Sequence, residues 1–269
     1  MVVNREQPRL SARQYVDGLA AAGRYFFTSR DAQTALGVSA AAAKLALLRL
    51  AKQQRLASPA RGFYVIVPPE YRSIGCLPAE QFIPALMKHR AVPYYAALLS
   101  AAQYHGAAHQ RPQTFQVCLP KPRRPLVCGK VRVTFIARTR LADVPVHTVN
   151  TPRGTLRIST PEATALDLVG YPQHAGGLAQ VATVLAELAE RIDADTLAAA
   201  AQTAPLPWAQ RLGYLLERVG ARDQAAVLKA YVRTHATQST VLVPKAARAR
   251  ATRDDAWKLY VNVDVPVEP

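Results

Sequence analysis

The segment Gly37-Val38-Ser39 constrains this chain more than any other, because it separates two runs that both carry helical character. Glycine can adopt the left-handed conformation that ends one helix, and a serine two residues later can cap the next. The spacing predicts a second helix that starts from Thr28 or Ser29 and runs to about Leu36. A third then covers about Ala40 to Gln54. Ahead of them, Ala12 to Ala22 reads as an amphipathic helix with Tyr15, Val16 and Leu19 on one side and Gly23 as its stop. The aromatic segment Tyr25-Phe26-Phe27 lies between the first two helices. Beyond the third, Arg55-Leu56-Ala57, a turn from Ser58 to Gly62 and a strand over Phe63 to Val67 read as a hairpin. Short helix, glycine turn, longer helix and hairpin are the order of a winged helix-turn-helix, so residues 1–72 are expected to form a mainly α reader domain of that type.

Charge agrees with the expectation. The formal net charge is +16 and the sequence pI about 10.2, a surplus that attracts polyanions, of which nucleic-acid phosphate is the commonest in a cell. Residues 1–72 hold eleven Lys or Arg against four Asp or Glu. On the third helix Ala43, Leu47 and Leu50 fall on one stripe and should face the first two helices. Leu45 and Leu48 fall on another, free to cover the hairpin, meet a partner subunit or touch thymine methyls. Ser39, Ala41, Ala42 and Lys44 stand at the helix start, where base edges are read, whereas Arg49 and Lys52 suit phosphate; Gln53 is a further polar candidate. Arg30 near the second helix start and Arg61 at the hairpin tip are phosphate candidates too. The plainer alternative is that these charges only solvate a surface.

Other classes fare less well. The apolar run Ala40 to Ala51 is broken by Lys44 and Arg49 and falls short of the roughly 18 residues that span a bilayer. The N-terminus carries no apolar signal core, so a soluble, cytoplasmic protein without a membrane partner is expected. Three cysteines, Cys76, Cys118 and Cys128, without CxxC pairing argue against a disulfide framework and a zinc site, and Cys118 reads as a small buried hydrophobe. His105 and His109 have metal-compatible spacing, but Gly106 should end their helix and no carboxylate or cysteine stands nearby. Glu162 and Asp167 point to different helix faces, which disfavours a nuclease pair. Neither GxxxxGK[ST] nor GxGxxG occurs, so no cofactor is expected and no enzyme is inferred. Trp208 and Trp257 read as core aromatics.

A proline-bearing stretch from Val67 to Pro78 marks a boundary, and residues 78–269 read as a second, mixed α+β domain with a helical block. Helices are expected over Ala79 to His89 and from Pro93 to about His105. Strands are expected over Thr114 to Leu119, Leu126 to Cys128, Val131 to Ile136, Val146 to Val149 and Gly154 to Ile158. Ser159 and Glu162 have capping-box spacing around Pro161. Helical pieces fill Ala175 to His235, and strands at Thr240 to Val243 and Trp257 to Val263 close the chain. Between Gln81 and Ala142 there are ten Lys or Arg and no acidic residue. Lys121, Arg123 and Arg124, placed on an expected hairpin turn, with Lys130, Arg132, Arg138 and Arg140, therefore suggest a secondary phosphate contact. Lys245, Arg248, Arg250 and Arg253 form another basic loop.

Three segments carry a family resemblance. They are residues 93–112 (PYYAALLSAAQYHGAAHQRP), 159–169 (STPEATALDLV) and 210–217 (QRLGYLLE). In this order, behind the expected reader domain, the chain resembles the AbiEi-like antitoxins of bacterial type IV toxin–antitoxin systems. The resemblance implies a two-domain antitoxin that represses its own operon at repeated double-stranded DNA operator sites, with self-association on DNA. It also implies a C-terminal domain that counters a nucleotidyltransferase-type toxin, not necessarily by a stable complex. Two alternatives stay open: a plain transcriptional repressor whose C-terminal domain dimerises, and a nucleic-acid-processing enzyme.

Overall fold

The computed structural model describes residues 10–107 and 112–266. The chain forms two compact units: Met1–Pro93 with Arg123–Thr134 and Asn150–Leu156, and Tyr94–Pro122 with Phe135–Val149 and Arg157–Pro269. Its composition is mixed α and β, with ten α-helices and three sheets among the described residues.

In the first unit, α1 (Ala12–Ala21), α2 (Ser29–Leu36) and α3 (Ala40–Lys52) each start on a hydroxyl cap. Ser11 and Gln14, and Thr28 and Asp31, form reciprocal capping boxes, and Ser39 accepts from the Ala42 N–H at 3.2 Å. Each cap satisfies amide donors that would otherwise be orphaned at a helix start. Strand β1 (Phe26–Thr28) precedes α2, and β2 (Leu56–Ala60) and β3 (Phe63–Ile66) follow α3 in a sheet of order β1-β3-β2, antiparallel throughout. Val16, Leu19, Phe27, Ala32, Leu47, Leu50, Leu56 and Ile66 make the core beneath the three helices. Phe27 stacks on Tyr64 and meets the edge of Tyr15. Helix α4 (Ala79–His89) completes the early part of this unit.

The later chain departs from expectation at several places. Residues 93–97 are not helical: β4 (Tyr95–Ala96) pairs antiparallel with β5 (Phe115–Leu119), and α5 starts only at Leu98 and ends at Tyr104. Both residues of β4 are buried, so sheet pairing overrides a locally helical pattern. Lys121 to Arg124 do not turn a hairpin. After β5 come β6 (Leu126–Cys128), β7 (Val131–Ala137), β8 (Val146–Thr151) and β9 (Gly154–Ser159), in the sheet order β6-β7-β5-β4-β9-β8. Strand β7 thus lies between β5 and β6, and the segment at 120–125 is a crossing, while the tight turn falls at Gly129-Lys130.

The third departure concerns α6 (Pro161–Gly170), which is capped by Thr160 and not by Ser159. The Ser159 hydroxyl instead lies 2.7 Å from that of Thr164, and the Glu162 carboxylate accepts the Asp193 N–H at 3.1 Å. Four helices follow: α7 (Leu178–Leu188), α8 (Ala194–Ala201), α9 (Leu206–Arg218) and α10 (Arg222–His235). A small sheet of β10 (Thr240–Val241), β11 (Thr252–Asp254) and β12 (Leu259–Val261), order β10-β12-β11, ends the chain, and its middle strand in sequence was not anticipated.

The fourth departure is Arg138, grouped above with surface charges but only 2% exposed. Its Nε donates to Asp167 Oδ1 at 3.0 Å, and its terminal nitrogens donate to the Thr139 and Thr203 carbonyls. The Tyr95 hydroxyl donates to the other Asp167 oxygen at 2.8 Å, and the guanidinium lies 4.6 Å from the Trp208 ring centroid. Nearby, Tyr171 donates to the Ala137 carbonyl at 2.7 Å. Complete burial raises the Asp167 carboxyl from 3.8 to about 6, against the opposing pull of Arg138 and Tyr95.

This packing has measurable consequences for stability. Removing Arg138 strands a buried carboxylate, so Arg138→Ala should lower unfolding free energy in urea by about 3–5 kcal/mol at neutral pH. Because the folded-state pKa of Asp167 is raised, from 3.8 to about 6, its contribution is fully present below the unfolded value and is lost as pH rises through the folded one. Asp167→Asn should flatten that slope between about pH 4 and 6. Separately, a Cβ on Gly213 of α9 would sit 2.0 Å from the Trp257 ring. Gly213→Ala should therefore cost about 1–3 kcal/mol by overpacking, read as a lower thermal midpoint.

Candidate nucleic-acid interface

Helices α2 and α3 are bent by 107° across their short connection. Gly37 makes the bend in the left-handed region, φ 61°, and donates its N–H back to the carbonyls of Gln33 and Thr34. Helix α3 then buries Ala43, Leu47 and Leu50. Its opposite side presents Ala41, Lys44, Leu45, Leu48, Arg49 and Lys52, with Ser39 and Ala42 exposed at its start and Gln53 at its end. Leu45 is 57% exposed and Leu48 49%, so neither covers the hairpin. Two large apolar side chains thus stand in water among three cations, an arrangement that calls for a partner surface.

The hairpin between β2 and β3 is held close to the start of α2. The Gly62 carbonyl accepts the Ser29 N–H at 2.9 Å, which brings the exposed Arg61 near the exposed Arg30. Arg55, by contrast, pairs with Asp17 and is committed to structure.

Of the second group of basic residues, Arg123, Arg124, Lys130 and Arg132 belong to the same compact unit as α3, while Lys121 belongs to the other. All five are exposed. The β6–β7 turn that carries Lys130 is fixed at Gly129, φ 59°, where a Cβ would lie 2.2 Å from the Ile74 carbonyl oxygen. Lys130 donates its N–H to that same oxygen at 2.7 Å. Arg90 has its pKa lowered by partial burial and then by the like charge of Arg123. Cations gathered at this density favour an anionic ligand. Arg138 is not part of this surface, and Arg140 is tied to Asp143 at 2.9 Å. In the C-terminal loop Lys245, Arg248 and Arg250 are exposed, whereas Arg253 is paired with Asp255.

His109 lies outside the described residues, and His105 has its Nε2 2.8 Å from the Ser159 carbonyl oxygen. Burial is the main cause of the lowered His105 pKa. Among the described residues no group of three or more His, Cys, Asp or Glu could hold a metal ion.

Sequence reasoning missed Arg153, which stands in the β8–β9 turn. Its guanidinium lies 3.5 Å from the Tyr25 ring centroid, its Nε donates to Gln81 Oε1 at 2.9 Å, and it reaches Glu70 at 3.5 Å. Gln81 in turn donates to the Tyr71 hydroxyl. No local pattern announces this clamp, because its members are separated by up to more than a hundred residues in sequence.

The fold has a solved counterpart. The RV2827C protein from Mycobacterium tuberculosis superposes with a TM-score of 0.66 at 20% identity, over 94% of each chain. No curated protein sequence matches the chain. No single helix among the described residues is long and apolar enough to cross a membrane. The segment from Tyr95 to Arg218, which holds β4, the Asp167 network and the whole of α9, matches the family described as AbiEi antitoxin C-terminal domain. The likeness of this chain to the AbiEi antitoxins is carried by this segment.

Proposed function

We propose that this protein is an antitoxin that reads double-stranded DNA through a winged helix-turn-helix at its N-terminus and represses its own toxin–antitoxin operon. The observation that carries the DNA-binding part is the 107° pair α2–α3 with an exposed, basic outer stripe on α3. That angle falls within the roughly 90–120° range of helix-turn-helix pairs. In this reading the start of α3 enters the major groove, with Ser39, Ala41 and Lys44 at base edges and Leu45 or Leu48 against thymine methyls. Arg49, Lys52, Arg30 and Arg61 neutralise phosphate. Arg123, Arg124, Lys130 and Arg132 extend the charge as backbone contacts, with Lys121 as an outlier in the other unit.

The antitoxin part rests on the match over residues 95–218. We propose that the toxin countered is of the nucleotidyltransferase type, as the family resemblance implies, and that the protein is cytoplasmic. A plain repressor differs in its genetic neighbourhood: coexpression with the adjacent gene product should relieve growth arrest only if the antitoxin reading holds.

Binding to the operon's own upstream DNA should be tight and sequence-preferring, and Lys44→Ala should relax base preference. Arg49→Ala should weaken all sequences alike. Neutralising Lys121, Arg123 and Arg124 together should make the slope of log affinity against log salt shallower, by about 0.9 for each phosphate no longer neutralised. Binding that ignores sequence and is unmoved by Lys44→Ala and Arg49→Ala removes the reader assignment. An unchanged salt slope removes the auxiliary phosphate site.

A further inference from the structure

Two cysteines that the proposed function does not use lie opposite each other in the first unit. The backbone runs antiparallel there: Lys130 donates its N–H to the Ile74 carbonyl at 2.7 Å, and a Cβ on Gly129 would stand 2.9 Å from the Gly75 Cα. The next facing positions are Cys76 and Cys128, whose thiols interact directly. Backbones this close fall within the span a disulfide needs.

We propose that Cys76 and Cys128 form an oxidisable dithiol site that closes to a disulfide when hydrogen peroxide reaches it. Their surroundings assign different roles to the two sulfurs. Cys128 is 7% exposed, and its thiolate is favoured first by the Cys76 thiol and also by the backbone of Ser58. Cys76 is fully buried, and the same interaction together with burial holds it in the thiol form. The Cys128 sulfur attacks one peroxide oxygen, breaking the O–O bond and leaving a sulfenic acid and one water. The Cys76 sulfur then displaces the hydroxyl as a second water and forms the S–S bond. Two thiols lose two hydrogens, and one peroxide becomes two waters.

Cys118 is an internal control. It is buried in the other unit, and burial followed by the Asp167 charge pushes its thiol pKa well up. The test is hydrogen peroxide titration of the native, fully reduced chain, read by intact mass and peptide mapping after alkylation under unfolding conditions. The expected product has lost two hydrogens, gives one Cys76–Cys128 crosslinked peptide, leaves Cys118 alkylated and reverts with dithiothreitol. Cys76→Ser should let a dione probe trap the sulfenic acid on Cys128, and Cys128→Ser should leave Cys76 unlabelled. The crosslink map of the unaltered chain decides the matter even if a serine variant folds poorly. Three intact thiols after peroxide treatment, a crosslink through Cys118, or bonds only between chains overturn the proposal.

Discussion

A carboxylate wholly withdrawn from water must be met by hydrogen-bond donors where it stands, and the C-terminal unit is built around that requirement at Asp167. The donors come from far apart in sequence: Tyr95 from β4 and Arg138 from just beyond β7. Arg138 in turn fixes the carbonyl of Thr203, which follows α8, and rests against Trp208 of α9. Tyr171, at the end of α6, meets Trp208 edge-on and closes the ring of contacts. One ionised group thereby specifies how two sheet strands and three helices come together. Hydrophobic burial alone could pack these elements, but it would leave their register less sharply defined.

What the sequence disclosed was mostly local. Hydroxyl caps at Ser11, Thr28 and Ser39, the left-handed Gly37 and the inward stripe Ala43, Leu47 and Leu50 each act within a few residues of themselves. Helix α4 and β6 could be bounded for the same reason. Strand β4 could not, because its two residues take their conformation from partners at Val117, Cys118 and Ile158. Arg138 looked like one more surface cation since nothing nearby in sequence reveals that an aspartate 29 positions later will lie against it. Basic character was legible; which cations reach solvent was not.

The segments that made the family recognisable turn out to be largely structural. Residues 93–112 supply Tyr95 and β4, and residues 159–169 supply Asp167 and the Ser159–Thr164 hydroxyl pair. In residues 210–217, Gln210 donates to the carbonyls of Trp257 and Lys258, Arg211 to that of Val241, and Glu217 accepts from the Trp257 indole at 2.6 Å. These side chains hold the terminal sheet in place. The candidate contact surface, by contrast, is composed of exposed lysines, arginines and two leucines with no distinctive spacing. A fold can therefore be identified from its interior while the chemistry of its outside has to be established by experiment.

The first compact unit draws on three separate stretches of chain, the last of them ending at Leu156. During synthesis, α1 to β3 can collapse on their own core early, since that core is contained within residues 16–66. The clamp of Arg153 on Tyr25 and the seat of Gly129 on Gly75 must wait until much more of the chain has left the ribosome. At about 5–20 residues per second that interval lasts several seconds, during which α1 to β3 can already be packed while the β6–β7 turn at Gly129 is not yet seated. A nascent chain therefore passes through a stage in which it carries the helical pair without the exposed cations at 123, 124, 130 and 132, and its positive charge there is less than in the finished unit.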